Sequence, residues 1–334
     1  MPHYDRNAIA LYSENSRIKI NQLAQKLKKS PQRLKYTLKQ LDKEQITHLP
    51  HCVFDYSYFG LILFRVYFKS SFISEKDKKE IISQLNNNQY VVTVYELSGE
   101  FDLVIEIESP NPSRVNKELK KLADLIPTLN NYKLILNIVT HIYPRSYLLY
   151  NPELIKELER QIIIGGDRNQ AVFTNNELTI MKNLLNNPKT RLTQLARISN
   201  INVKTATSVL KSLQQRKIIK GFKYVINRNK LNIEKVRLFL KLHNTSKELE
   251  DQLMDYLSET KEITQVNKTV GDWDMEIDIE SFDRTRIRYL ISQIRESFKD
   301  LIANFNMVEF YDYYKKSYLP EYIFNPDINT LINP

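Results

Sequence analysis

The chain of 334 residues is 42% hydrophobic and 26% charged, and its length favours more than one compact core. No apolar run approaches the roughly 18 residues of a membrane-spanning helix, and the N-terminus lacks the apolar stretch of a secretory signal, so we expect a cytoplasmic protein. The net charge of +10 favours an anionic partner, and the single cysteine, Cys52, excludes an intrachain disulfide and a cysteine-based zinc site.

The first 50 residues predict three short helices, because apolar residues recur at helical spacing between polar breaks. Ser30 and Pro31 mark the start of the third helix, since a serine side chain caps free backbone amides and proline suits the first helical position. Leu34, Leu38 and Leu41 line one face of that helix. The other faces carry polar side chains, namely Gln32, Arg33, Lys35, Tyr36 and Lys39.

The following segment changes period and predicts strands and amphipathic helices in the order βαββαβ. The predicted strands are Leu61–Lys69, Val91–Leu97, Phe101–Glu108 and Lys133–His141. The predicted helices are Ser74–Leu85 and Ser113–Leu125. This order is typical of a ferredoxin-like domain, in which an antiparallel sheet carries both helices on one face. The opposite face must be covered, because a bare apolar sheet associates with other surfaces.

A linker is predicted after this domain. We expect a connecting helix at Asn151–Gln161, followed by the apolar run Ile162–Ile164. Gly165 and Gly166, two of only six glycines in the chain, predict a flexible joint.

The chain contains an internal duplication, because one shift of 172 residues aligns motifs along most of its length. It brings Gln22-Leu23-Ala24 onto Gln194-Leu195-Ala196, and a shift of 171 brings Ser146-Tyr147-Leu148 onto Ser317-Tyr318-Leu319. The third helix of the second copy is capped by Asn202. Its polar residues are Lys204, Thr205, Thr207, Ser208 and Lys211. The strands and helices that repeat the βαββαβ order are Lys235–His243, Glu248–Leu257, Ile263–Val270, Trp273–Glu280, Arg284–Phe298 and Asn304–Tyr314.

We therefore predict an α+β protein made of two tandem copies, each a winged helix-turn-helix domain followed by a ferredoxin-like βαββαβ domain. The helix-turn-helix domains are assigned to residues 1–52 and 175–228, and the α/β domains to 53–146 and 229–320. The linker is 147–174 and the C-terminal tail is 321–334.

Positive charge is concentrated in the two helix-turn-helix segments. Residues 1–50 hold ten Lys or Arg against four Asp or Glu, and residues 176–223 hold ten against one, which gives +6 and +9. The rest of the chain is then +10 − 15 = −5. Two separate basic blocks favour two nucleic-acid-binding surfaces, and solvated lysine-rich helix faces are the alternative.

A string of glycine, acidic residue, aromatic residue and aspartate occurs twice, between the second and third predicted strands of each copy. The two strings are Gly99-Glu100-Phe101-Asp102 and Gly271-Asp272-Trp273-Asp274. Together with Gln-Leu-Ala in the second helix, they resemble the leucine-responsive regulator and asparagine-synthase regulator (Lrp/AsnC) family, here in tandem form. The resemblance covers nearly the whole chain. It implies that the third helices bind double-stranded DNA, that the α/β domains pair with each other, and that a small effector, often an amino acid, binds near the turn.

On this resemblance we expect a sequence-specific transcriptional regulator that pairs its own α/β domains and is able to form a homodimer. The expected DNA-binding residues are Gln32, Arg33, Lys35, Tyr36, Lys39, Lys204, Thr205, Thr207, Ser208 and Lys211. The expected effector-binding residues are Gly99, Glu100, Phe101, Asp102, Gly271, Asp272, Trp273 and Asp274. The alternative for each turn is a tight hairpin whose aspartate binds local amides.

The chain departs from the family at four helix boundaries. The glycine usual before the cap of the third helix is replaced by Lys29 and Ile201, and the glycine usual after that helix is replaced by Gln45 and Lys217.

Siroheme decarboxylases share this architecture and provide the alternative function. Such an enzyme requires positioned histidine and basic side chains, whereas the sequence shows no metal-ligand pairing of histidines, no nucleophile elbow and no phosphate-binding glycine loop. We therefore expect no catalytic activity, no bound metal and no cofactor. The five histidines are His3, His48, His51, His141 and His243.

Overall fold

A computed structural model describes residues 4–69, 74–126, 129, 131–158, 161–243 and 247–324. The predicted C-terminal tail lies outside the described residues beyond 324. The chain divides into two compact units, each of which draws on both sequence copies. Unit 1 comprises residues up to 48, 137–163 and 224–310, and unit 2 comprises 49–136, 164–223 and the residues from 311 onward.

Unit 1 contains the first helix-turn-helix, formed by α1 (Arg6–Glu14), α2 (Ile20–Lys26) and α3 (Pro31–Lys43). Its core includes fully buried apolar side chains from each helix, namely Ile9, Leu23 and Leu34. The predicted start of α3 is confirmed: the Ser30 hydroxyl accepts a hydrogen bond from the backbone N–H of Arg33 at 3.3 Å, and Pro31 is the first helical residue.

The α/β domain of unit 1 is built on the second sequence copy, preceded by the short helix α9 (Arg228–Leu231). Helices α10 (Lys247–Glu259) and α11 (Arg284–Ser297) pack on the face of the sheet that carries Val236, Leu238 and Leu240. The strands, in sheet order, are β11 (Ile302–Lys316), β8 (Glu234–Leu242), β10 (Met275–Ser281), β9 (Ile263–Val270) and β5 (Tyr132–Ile142).

Unit 2 contains the second helix-turn-helix and the first α/β domain. Its helix-turn-helix consists of α6 (Asn175–Asn186), α7 (Leu192–Ile198) and α8 (Val203–Gln215). In its sheet β5 is followed by β2 (Ile62–Phe68), β4 (Leu103–Ser109), β3 (Val91–Ser98) and β11, and helices α4 (Glu75–Asn87) and α5 (Pro112–Leu125) contact β3 and β4. The remaining strands are β1 (Thr47–Phe54), β6 (Ile162–Gly165) and β7 (Ile219–Ile226).

Both sheets place the last strand of a copy next to its first strand, which is the strand order of the predicted ferredoxin-like fold. The boundary between the two units passes within β5 and within β11, and neither strand lies at the end of the strand order. The predicted fold class is confirmed.

The linker differs from its prediction. In place of a helix over Asn151–Gln161, Pro152–Glu157 forms a 3-10 turn that ends at the extended Leu158, and residues 159 and 160 lie outside the described residues. The backbone N–H of Leu154 donates to the carbonyl three residues earlier, which is the tighter pattern of a 3-10 turn. Only the residues between Glu157 and the start of β6 at Ile162 follow this turn, which is too short a segment for a stable α-helix.

The glycine pair lies at the end of β6, and its predicted flexibility stays a prediction. Gly165 ends β6, and its backbone N–H donates to the buried carboxylate of Asp55 at 3.0 Å. Gly165 and Gly166 have φ values of 86° and 85°. Residues with a Cβ atom rarely adopt these backbone angles, which explains why glycine occupies both positions. Asp55 lies 110 residues away in sequence, which is why local composition did not reveal this anchor.

The helix boundaries where the family places glycine adopt left-handed backbone angles without it. Gln45 and Lys217, after the third helices, have φ values of 55° and 61°. Before the caps the left-handed residues are Lys28 and Asn200, one position earlier than predicted, with φ values of 53° and 50°. These four side chains therefore sit in a region that disfavours a Cβ atom.

We expect Gln45→Gly to raise the free energy of unfolding by up to about 1 kcal/mol, because glycine relieves the left-handed strain at the end of α3. The matched control is Gln40→Gly, an exposed position inside α3, which should lower it by about 1 kcal/mol. Urea-induced unfolding of both variants measures the difference. Destabilisation of the same size in both variants would contradict the account of this helix end.

Candidate functional site

The predicted DNA-binding side chains of α3 all lie on its exposed faces. Leu34, Leu38 and Leu41 are buried, as expected, and Tyr36 is the most exposed large side chain of the helix, at 68%. The exposed polar residues are Gln32, Arg33, Lys35, Tyr36 and Lys39. This surface is free to meet a groove, and the proposal that it does so remains a prediction.

Helix α8 presents a similar surface in unit 2. Its cap is confirmed, because the Asn202 side chain accepts a hydrogen bond from the backbone N–H of Thr205 at 2.8 Å. The Thr205 hydroxyl also donates to Asn202, at 3.0 Å, so this half-buried threonine is engaged in the cap. The remaining predicted residues, Lys204, Thr207, Ser208 and Lys211, are exposed.

The two predicted effector turns connect β3 to β4 and β9 to β10. Gly99 and Gly271 have φ values of 121° and 145°, which glycine alone adopts readily. Phe101 and Trp273 are buried, and the Trp273 ring stacks on Phe239 with centroids 5.6 Å apart.

The polar side chains of these turns have local partners. Both carboxylate oxygens of Asp274 accept hydrogen bonds, from the Lys241 ammonium at 2.9 Å and the Leu242 backbone N–H at 2.8 Å. In the other turn, Glu100 pairs with Lys133 at 3.1 Å. An amino acid bound at Gly271–Asp274 would have to displace the Lys241 ammonium. The predicted residue sets Gly99, Glu100, Phe101, Asp102 and Gly271, Asp272, Trp273, Asp274 thus lie together as turns, and their effector role stays a prediction.

A second set of charged side chains was not predicted, and it lies on the strands themselves. In unit 1, Arg237 on β8 donates to both oxygens of Asp278 on β10, at 2.6 and 3.0 Å, and lies 3.5 Å from Glu276. Since apolar side chains of β8 and β10 face the helices, the alternation of a strand places these charged groups on the opposite face. All three side chains are at most 1% exposed.

Glu280 completes this cluster in unit 1. Its carboxylate lies 2.9 Å from Arg145, 3.5 Å from Lys235 and 2.8 Å from the Tyr147 hydroxyl. Burial by itself disfavours the charged carboxylate, but attraction by Arg145 and Lys235 lowers the pKa of Glu280 to about 2. Glu276, Asp278 and Glu280 thus each lie within ion-pair distance of a cation, and Glu14 also lies 3.4 Å from Arg145.

Unit 2 has an equivalent cluster with a different balance. Arg65 on β2 donates to Glu106 on β4 at 2.9 Å, and the Lys316 ammonium lies 3.6 Å from the other oxygen of Glu106. Burial opposes the charge of Lys316, but Glu106 raises the pKa of Lys316 above its usual value. Lys316 also lies 4.7 Å from the centroid of the Tyr318 ring.

Glu108 is the exception in unit 2. It is 1% exposed, and its Oε2 atom has no hydrogen-bond partner among the described residues. Burial and the neighbouring Glu106 raise the pKa of Glu108 well above its usual value, so this carboxyl holds its proton more strongly than an exposed one. Arg65 and Lys316 thus share the carboxylate of Glu106, at 2.9 and 3.6 Å.

One histidine lies at this cluster. His51 is buried, its Nδ1 atom lies 2.9 Å from the carbonyl of Leu49, and its ring is 5.5 Å from that of Tyr318. His141 is half-buried on β5, where burial lowers its pKa, and His243 is exposed. His3 lies outside the described residues, and among the described residues no group of three metal-ligating side chains lies together.

Comparison with known proteins gives matches in structure alone. No protein-family model and no curated protein matches the chain. The chain matches the solved structure of the siroheme decarboxylase NirDL at 13% identity and a TM-score of 0.55, covering 98% of this chain and 99% of that one. The same enzyme in complex with an iron-uroporphyrin III analogue matches with a TM-score of 0.54 and 13% identity, over 98% of this chain and 100% of that one. These two matches show the fold.

Regulators match over a smaller part. An AsnC-family transcriptional regulator from Agrobacterium tumefaciens is 14% identical over 41% of this chain and 89% of its own, with a TM-score of 0.36. The structural neighbours of this chain thus include Lrp/AsnC-type regulators over less than half of its length.

The whole-chain match corrects one prediction. The expectation that the chain is not an enzyme rested on the lack of paired histidines, of a nucleophile elbow and of a phosphate-binding glycine loop in the sequence, whereas the protein that it matches over 98% of its length is an enzyme. No helix in the described part of the chain is both long and apolar enough to cross a membrane.

The sequence contains a pattern that indicates these clusters. Arg65 and Arg237, Glu106 and Asp278, and Glu108 and Glu280 are each separated by the repeat shift of 172 residues. Charged residues repeated at one shift inside otherwise apolar strands indicate buried ion pairs, because a solvated strand face tolerates variation.

Proposed function

We propose that the chain binds an iron tetrapyrrole and removes carbon dioxide from a carboxylate side chain of that substrate, as a siroheme decarboxylase does. The observation that carries the proposal is the cluster of unit 2, in which two buried cations share the carboxylate of Glu106 and the Oε2 atom of the buried Glu108 has no hydrogen-bond partner among the described residues. The match over 98% of the chain to the siroheme decarboxylase NirDL supports it.

Decarboxylation requires positive charge to bind the substrate carboxylates and a proton donor, and this cluster contains both cations and a carboxyl group. A decarboxylation breaks the bond between a side-chain carbon and its carboxylate, releases carbon dioxide and leaves an electron pair on carbon that must be protonated. Arg65 and Lys316 supply positive charge for the carboxylates of the substrate. The buried site has a low effective dielectric constant, which strengthens these interactions.

An absorption titration tests binding. Adding the protein to iron-uroporphyrin should give a saturable shift of the porphyrin absorption bands. The control probe is an iron porphyrin with ethyl groups in place of the carboxylate side chains, which should bind at least tenfold more weakly because the cations lose their partners. Equal shifts with both probes, or none with either, would contradict the proposal.

Binding of duplex DNA is a second candidate function, favoured by the exposed polar faces of α3 and α8 on segments of charge +6 and +9. Within this second function, the turns Gly99–Asp102 and Gly271–Asp274 remain the proposed site of an amino-acid effector. Pairing of the α/β domains and homodimer formation also remain predictions.

For DNA binding, we expect Lys204→Ala combined with Lys211→Ala to reduce the slope of log affinity against log salt by about 2, since each phosphate contact contributes about 0.9. The control removes two exposed lysines of α5 in the α/β domain, Lys117→Ala with Lys120→Ala, and should leave the slope unchanged. Fluorescence anisotropy of a labelled duplex at several salt concentrations provides the measurement. The same slope in all three proteins would exclude α8 as a DNA-binding surface.

A further inference from the structure

We propose that the two sequence copies have divided their roles: Glu108 in unit 2 delivers the proton of the decarboxylation, and its counterpart Glu280 in unit 1 serves the fold. This inference rests on the proposed function. It starts from one position in the repeat whose surroundings differ between the two units. Oε2 of Glu108 and Oε1 of Glu280 both lack a hydrogen-bond partner among the described residues, but Oε1 of Glu280 lies 3.5 Å from the Lys235 ammonium.

The residues that contact Glu280 have counterparts around Glu108 that are either a different residue type or paired with another side chain. Lys235, opposite Glu280 in the strand register, corresponds to Leu63, which lies opposite Glu108. Arg145, which pairs with Glu280, corresponds by the shift of 171 residues to Lys316, which pairs with Glu106 instead.

The hydroxyl contact is lost in the same way. Tyr147 donates to Glu280 at 2.8 Å, whereas its counterpart Tyr318 lies beside His51 and Lys316. The hydroxyl of Tyr322 donates to the backbone carbonyl of Glu108 at 3.3 Å and not to its carboxyl.

The groups around Glu108 raise its pKa and so favour its protonated form. Glu106 on the same strand and Asp55 before β2 both repel a carboxylate at this position, and Lys316 at the end of β11 attracts one. Arg65 and Lys316 are already engaged by Glu106 at 2.9 and 3.6 Å, so neither cation is dedicated to Glu108. Burial then favours the protonated form.

A buried carboxyl that favours its protonated form, near the cations Arg65 and Lys316, is suited to the protonation step. When the carbon–carbon bond breaks, carbon dioxide leaves and the electron pair remains on the side-chain carbon. The Glu108 proton passes to that carbon, which gives an alkyl group and leaves Glu108 ionised. A proton from solvent restores the acid, so the step needs no oxidant or reductant.

The test compares Glu108→Gln with the wild-type protein in two measurements. Turnover of siroheme should fall about 100-fold or more, the typical contribution of a general acid, while iron-uroporphyrin binding stays within a few-fold. In infrared spectra of the ligand-free protein at neutral pH, the carbonyl band of a protonated carboxylic acid should be present in the wild type and absent in the variant. Glutamine preserves the shape and neutrality of the acid, so the melting temperature should not fall.

Glu280→Gln is the matched control at the same position of the other copy. It should lower the melting temperature, because Arg145 and Lys235 lose a counter-charge, yet keep the infrared band and retain turnover per folded molecule within a few-fold. Turnover by Glu108→Gln at the wild-type rate, or loss of turnover in His51→Gln alone, would overturn this inference and leave the proposed function standing. A wild-type protein that neither binds iron-uroporphyrin nor consumes siroheme would overturn both.

Discussion

Replacing Arg237 by methionine should lower the free energy of unfolding by about 3–5 kcal/mol, the typical cost of leaving a buried charge without its partner. Arg237 makes two hydrogen bonds to Asp278 and also lies near Glu276, and neither carboxylate has access to water. Methionine fills a similar volume, so the loss reports the charge and not a cavity.

The control for this variant is Lys241→Met on the same strand. Lys241 pairs with Asp274 at 2.9 Å, but 42% of its side chain is exposed, so its loss should cost no more than about 1 kcal/mol. Urea-induced unfolding followed by circular dichroism measures both variants. An equal free energy of unfolding for Arg237→Met and Lys241→Met would contradict the account that the buried charges of this cluster depend on each other. Adding Asp278→Leu to Arg237→Met should recover part of the loss, because it removes the unpaired carboxylate.

The same cluster sets a pH dependence. The pKa of Asp278 is held well below its usual range by Arg237 and Lys235 against the opposing effect of burial, and the pKa of Glu280 is lowered to about 2. In an unfolded chain the pKa values of an aspartate and a glutamate side chain are about 3.9 and 4.3. Their contribution to stability is therefore fully present above about pH 5 and is lost as the pH falls toward the folded values.

Replacing Lys316 by methionine should raise the dissociation constant for iron-uroporphyrin by about 10- to 100-fold, which corresponds to one lost hydrogen bond to a charged group. Glu106 keeps its hydrogen bond from Arg65 at 2.9 Å in this variant, so the fold should tolerate the change. The cluster would, however, have lost one of its two cations.

Lys315→Met is the matched control, one residue earlier on β11. The Lys315 ammonium donates to the backbone carbonyls of Asn86 and Asn88, at 2.9 and 3.3 Å, and does not contact Glu106 in the described structure. Both variants lose one charge, so an equal weakening of binding would indicate a general effect of net charge and contradict a specific site. Binding titrations of both variants at one fixed ionic strength distinguish a general effect of net charge from a specific contact of Lys316.

Much of the fold follows from the sequence, because each element is long enough to show its own period. The strand at Ile263–Val270 was predicted at its observed bounds, and the helix at Arg284–Phe298 differs by one residue from the observed α11. The duplication then allowed each copy to support the interpretation of the other. The linker failed because its 3-10 turn has too few residues to show a period and its glycine anchor is distant in sequence.

The candidate site could not be predicted in the same way. Arg65 and Glu108 alternate with apolar residues and look like ordinary solvent-facing charges on a strand. Their burial depends on contacts with residues more than 200 positions away, such as Lys316 and Tyr322. Nor does sequence alone show that Glu108 and Glu280 differ in pKa, since that difference arises from which cations lie within reach.

Incubation of the purified protein with siroheme under anaerobic conditions, followed by mass spectrometry of the tetrapyrrole, tests the central claim most directly. We predict a product lighter than siroheme by the mass of one or more molecules of carbon dioxide, formed in proportion to enzyme and time, and formed much more slowly by Glu108→Gln. Siroheme recovered unchanged after binding to the folded wild-type protein would contradict the account.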